Sequence, residues 1–252
     1  MSRLEVTAMA DFIHSEKEIR DMPLNNFNDF VKMLLNAGFS VGGGSDEGIY
    51  SVVPFDWRNE PWDSRIRWHT GDPETDPCEW RSRVLNERDD IAYSKLFFMK
   101  SGYIAKEWYP YFLAARRKGR ALDDEYRDGA VSQVAKRAYE VISEKGEAPF
   151  HEIKQAGGFS KEDNSRFESA LVELQMGLFI TICGIRRETS QSGEEYGWPA
   201  TVFCTTEQFW GSGVFDEADG IRPDEAERAI KERILALNPG AEEKKMMGFI
   251  RG

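Results

Sequence analysis

The sequence predicts an α+β fold, mainly helical. Three observations carry that expectation. Apolar residues recur at three- and four-residue spacing in several segments. Short β-branched and aromatic runs are few, the clearest being Leu178–Cys183 and Thr201–Cys204. Apolar residues make up 40% of the 252, enough to build a sizeable core.

Residues 1–24 read as loosely structured, with a short helix around Phe12–Arg20. Asn25–Ala37 reads as a helix, because Phe27, Phe30, Val31, Leu34 and Leu35 share one face, and Gly38 ends it. Gly42–Gly44 is a turn; a phosphate-cradling glycine loop needs a lysine or a GxGxxG spacing that is not there. Asp76-Pro-Cys-Glu79 is a helix start, with Asp76 as cap and Pro77 at the first helical position, and the helix should run to about Asp90. Lys106–Arg117 reads as another helix, with Trp108, Tyr111, Phe112 and Ala115 on one face.

Residues 129–210 show an ordered pattern. A helix near Val131–Glu144, a short one from Pro149 to Ala156 and a third reaching Met176 precede the two strand-like runs. Three helices and then a β-hairpin is the order of a winged helix, with the polar loop from Arg186 to Gly197 as its wing. The third helix carries Lys161 and Arg166 against Glu162, Asp163, Glu168 and Glu173, the wrong sign for approaching phosphates. Gly211-Ser-Gly213 reads as a linker, and Asp224–Leu237 as a final helix docking on the body. The expected divisions are therefore 1–128, an aromatic and basic part that could itself be a divergent winged helix; 129–210, the winged helix; and 211–252, a linker and C-terminal helix.

Charge narrows the partners. The chain carries a formal −11, which argues against a general nucleic-acid coat. Residues 57–120 are the exception, with 13 Lys and Arg against 10 Asp and Glu, and they hold five of the seven tryptophans. The nucleic-acid candidates are accordingly Arg65, Arg67, Arg116, Arg117, Lys118 and Arg120. Cations at the end of a helix also suit its dipole, and Asp123-Asp-Glu125 follows at once. No apolar run is long enough to span a membrane, and the start lacks the apolar core of a secretory signal. Three widely spaced cysteines suggest reduced thiols in a cytoplasm. His14, His69 and His151 share no metal-ligand spacing, so neither metal nor cofactor is expected.

The densest polar and aromatic segment is Trp68–Trp80. Trp68, His69, Asp72 and Glu74, with Trp108 and Tyr109, are candidates to line a pocket that handles a nucleobase and a water. The competing reading is structural: Thr70-Gly-Asp-Pro73 is good turn chemistry.

Two passages carry a resemblance. Glu173-Leu-Gln-Met-Gly177 with Gly197-Trp-Pro199, and Tyr93–Phe98 through Trp108–Phe112, resemble the short bacterial proteins related to AlkZ, the YcaQ-type DNA glycosylase. The similarity covers roughly residues 60–240. Membership would imply tandem winged helices, DNA binding and a link to DNA repair by excision of alkylated or crosslinked bases. The glycosylase motif is glutamine, an apolar residue, then glutamine or aspartate. None of Gln133, Gln155, Gln175, Gln191 and Gln208 sits in such a triplet, so no catalytic residue carries over and enzymatic activity stays open. The alternative is a noncatalytic winged-helix protein that docks a protein partner.

Overall fold

The computed structural model describes residues 22–44, 48–189 and 195–252. The helix expected around Phe12–Arg20 and the tip of the expected wing lie outside the described residues.

The fold is α+β and mainly helical. Helix α1 (Phe27–Ala37) starts where the Asn26 side chain accepts from Asp29 N–H. It ends at Gly38, whose left-handed backbone (φ 90°) lets its N–H reach Leu34 O. A side chain at Gly38 would also collide with the Trp108 indole, its Cβ lying 2.3 Å from Trp108 Cδ1. Strand β1 (Phe39–Val41) follows directly. Helix α2 (Pro77–Glu87) ends three residues short of the expected Asp90, because residues from 91 onward enter strand β2 (Ile91–Phe97). β2 turns back into β3 (Lys100–Ala105), a hairpin that periodicity did not announce. The expected helix from Lys106 is a 3-10 turn over Lys106–Trp108 and then α3 (Tyr109–Arg116). α4 (Leu122–Arg127) leads on to the second half of the chain.

There, α5 (Gln133–Lys145), β4 (Ala148–Pro149), α6 (Phe150–Ala156) and α7 (Asn164–Met176) precede the hairpin β5 (Ile180–Thr189) and β6 (Glu195–Thr205). Ile180 pairs with Thr205 and Ile182 with Phe203, so the predicted hairpin is present, and β4 adds to the outer edge of β6. This connectivity is compatible with a winged helix.

Gly211 breaks the chain between α8 (Thr206–Trp210) and α9 (Ser212–Asp219); the expected linker is thus mostly helix. α10 (Pro223–Leu237) matches the expected helix. A further helix, α11 (Glu243–Arg251), buries Met246, Phe249 and Ile250, a three- and four-residue spacing that was readable but short.

One antiparallel sheet joins everything, in the order β1-β3-β2-β5-β6-β4. Its two halves meet at a single pair, Tyr93 opposite Ile182. Three apolar clusters pack around it. Phe27, Phe30, Trp80 and Tyr103 centre the first. Phe39, Phe97, Phe112, Ile230 and Phe249 centre the second, where α10 and α11 close over α3. Ile142, Phe167, Leu174 and Ile180 centre the third, inside the helix–hairpin unit.

A polar junction bonds the halves together. Gln175 is 3% exposed. Its Oε1 accepts from Ser94 Oγ (2.9 Å) and Lys95 N (3.0 Å), and its Nε2 donates to Leu171 O (2.8 Å). Ser94 Oγ in turn accepts from Ile182 N. The Gln175 carbonyl oxygen therefore holds α7 to β2, while its Nε2 is anchored within α7.

Candidate functional site

The segment 68–76 folds as a turn feeding a helix cap. Asp76 is buried; its Oδ2 accepts from Thr70 N (2.7 Å) and Gly71 N (2.9 Å), and its Oδ1 from Cys78 N (2.8 Å). Asp72 is exposed and accepts from Glu74 N and Thr75 Oγ1, which hold its carboxyl below the usual range. Glu74 is exposed and pairs with Arg83. His69, also exposed, adopts a left-handed backbone (φ 61°), and its Nδ1 lies 3.3 Å from Cys78 Sγ. Trp68 is half-buried, its backbone N–H on Glu60 and its ring against Gly43.

The structure does not bring the six expected pocket residues together. Trp108 packs on Gly38, Phe39 and Tyr111 in another cluster from Trp68. Tyr109 is fully buried against Trp210, and burial raises its phenol well above the ordinary value. Aperiodic polar crowding in 70–76 is here the chemistry of a tight turn, in which Asp72, Glu74 and Asp76 serve nearby backbone amides or a charge.

The basic candidates also separate. Arg116 uses four of its five N–H donors on backbone carbonyls: Nε on Ile250 O (2.8 Å), Nη1 on Leu96 O (2.9 Å) and Met176 O (2.7 Å), Nη2 on Phe249 O (2.7 Å). It is a structural clamp and not a surface hand for phosphate. Burial draws its guanidinium down to about 10, so it remains charged at neutral pH. Arg117 pairs with Glu207 (2.7 Å) and lies over the Phe179 ring. Arg120 pairs with Glu125 and Asp128, and Arg67 with Glu60. Arg65 and Lys118 are exposed. The acidic residues after the helix thus neutralise Arg120, while Glu207 and Glu60 take Arg117 and Arg67.

What does assemble is a cleft of about 560 Å³ between α7, the β2–β3 turn, the end of α3 and α11. Lys95, Arg116, Arg117 and Arg251 line it against two carboxylates, Glu125 and Glu173, over an apolar floor that includes Met99, Met176 and Phe179. Arg251 pairs with Glu227, and Glu173 accepts from Ser132 N and Oγ. No carboxylate pairs with the Arg116 guanidinium among the described residues, so its charge faces the cleft uncompensated by an anion. Sequence reading named Arg116 and Arg117 and missed Lys95, Glu173 and Arg251. Those residues are far apart along the chain: the bond between β2 and Gln175 brings Lys95 to α7, which carries Glu173, and α11 adds Arg251.

No group of three or more His, Cys, Asp or Glu side chains that could hold a metal occurs among the described residues. No described helix is long and apolar enough to cross a membrane.

An α+β protein with a helix–hairpin unit bonded to a helical body, and a cationic cleft at their junction, is the class that fold and site define. The family model described as AlkZ related matches residues 24–251, and the chain belongs to that family. No curated protein and no solved structure matches it.

Proposed function

We propose that this protein is a DNA-binding member of the AlkZ-related family that accommodates a nucleotide in the cleft between α7 and α11 without glutamine-based base excision. The cleft carries the proposal: Lys95 and Arg116 line it beside the ion-paired Arg117 and Arg251, in a chain of net −11, above an apolar floor of a size suited to a small ligand. Phosphate would meet Lys95, and a base would lie on Val172 and Met176. The absence of the glutamine triplet, and the structural engagement of the buried Gln175 amide, support binding without hydrolysis.

The test is fluorescence anisotropy of labelled single-stranded and duplex oligonucleotides, with and without an alkylated base, across a salt series. Binding should weaken steeply with salt, and Lys95→Ala should flatten the log–log slope by about one unit. Base release, read as alkali-sensitive strand breaks, should stay at background. Absence of binding at low salt would refute the DNA reading and favour a protein partner, to which the acidic face of α7 is suited. Base release above background would refute the noncatalytic part alone.

A further inference from the structure

The hairpin β5–β6 contains an irregularity with chemical content. Ile182 pairs with Phe203 and Gly184 with Val202, so Cys183 is the extra residue of a β-bulge. Cys204 sits opposite Thr181 on the neighbouring strand. The bulge turns Cys183 towards that position, its Sγ 3.6 Å from Val202 O, so the two cysteines share one face of the hairpin. Cys183 is half-buried and Cys204 buried, and both are free thiols. Cys78, the third free thiol, lies elsewhere, against His69.

We propose that Cys183 and Cys204 form an oxidisable dithiol, a covalent modification site that hydrogen peroxide converts into a disulfide across the hairpin. The register sets Cys183 and Cys204 on one face of neighbouring strands, diagonal to each other, and the extra residue of the bulge is what lets the Cys183 sulfur approach Cys204. The pair also divides the two roles that the reaction needs. The Cys204 S–H donates to the Cys183 sulfur, which lowers the Cys183 thiol and raises that of Cys204. Cys183 is thus the more readily ionised and the more accessible sulfur, and Cys204 is the resolving thiol.

The Cys183 thiolate attacks one peroxide oxygen. An S–O bond forms, the O–O bond breaks, and hydroxide leaves to take up a proton as water. The Cys204 sulfur then attacks the Cys183 sulfenic acid. The S–S bond forms, the S–O bond breaks, and the Cys204 proton leaves with the hydroxyl as a second water. Two electrons pass from the sulfurs to the peroxide, and no other reactant enters. The product would staple β5 to β6 one residue from Ile182, where the halves of the sheet meet.

The full chain is treated with a few equivalents of hydrogen peroxide, quenched in acid, denatured, alkylated with N-ethylmaleimide and weighed intact. The reduced protein takes up three maleimides, one per free cysteine. The oxidised protein should take up one and be lighter by two hydrogens before alkylation, and dithiothreitol should restore three. After digestion the single label should lie on Cys78. Cys78→Ser should then take up none after oxidation, whereas Cys183→Ser should keep both of its remaining thiols. Three labels after peroxide would overturn the proposal, as would a disulfide involving Cys78, a cross-linked dimer, or Cys183 sulfinic acid beside an alkylated Cys204.

Discussion

Replacing Gln175 by Met keeps nearly the same volume and removes every polar bond of the side chain. Three hydrogen bonds disappear, to Ser94 Oγ, Lys95 N and Leu171 O. The Lys95 N–H is then left without its acceptor, and a part-buried orphan donor costs towards the lower end of about 1–3 kcal/mol. The Ser94 hydroxyl can rotate to another acceptor, so its share is about 1 kcal/mol or less. Leu171 O belongs to a helix turn and loses least. The expected total is about 2–4 kcal/mol. Ser94→Ala should cost about 1–3 kcal/mol by removing the acceptor of Ile182 N–H. Because the two side chains bond each other, the double variant should fall short of additivity by about 0.5–1.5 kcal/mol. Urea unfolding followed by tryptophan fluorescence and by far-ultraviolet circular dichroism measures all three, with coincidence of the two probes as the check on two-state behaviour. A Gln175→Met protein within about 0.5 kcal/mol of wild type, or strict additivity, would refute the view that this junction holds the halves together.

Two other expectations follow from named groups. Burial works to raise the Asp76 carboxyl, but the backbone N–H groups of Gly71, Cys78, His69 and Thr70 outweigh it and the group sits below the ordinary range. Its folded pKa being the lower one, its stabilisation is complete above the unfolded value near ~4 and is lost as pH falls through the folded value; the stability gap between wild type and Asp76→Asn should be flat near neutrality and narrow below about pH 4. Arg116→Lys keeps the charge and loses the planar fork, so it should destabilise by about 2–4 kcal/mol in denaturant titration while Lys118→Ala stays within about 0.5 kcal/mol, and equal small effects would contradict the clamp.

Much of the secondary structure was legible because local rules governed it. Phe27, Phe30 and Leu34 turn inward as their spacing says, and Asp76 caps the helix that follows it. The hairpin of residues 180–205 is paired as expected from its two β-rich runs. The β2–β3 hairpin was hidden by its composition: it turns on Phe98 and Met99, both in left-handed conformations that such residues rarely adopt, with no glycine or asparagine to signal a turn. The cleft was illegible for a different reason. Arg116 and Arg117 read as a basic helix end, yet their roles depend on carbonyls of α11 and on Glu207, partners set by tertiary packing alone. The turn at 70–75 was read both ways, and the exposed Asp72 shows local hydrogen bonding to be a sufficient account of its polarity.

The reach of Arg116 along the chain has a kinetic consequence. Its carbonyl partners lie 20, 60, 133 and 134 residues away in sequence. Contacts of such separation close only after the intervening loops have been brought together, and that ordering cost falls before any of the bonds can reward it. Arg116 therefore engages late, once the helix–hairpin unit and the C-terminal helix have both arrived at the body. In stopped-flow experiments the loss caused by Arg116→Lys should appear as faster unfolding at a nearly unchanged folding rate, whereas a slowed folding limb would place the clamp in the nucleus. The side chain that completes the assembly would then also be the one that sets how long it stays assembled.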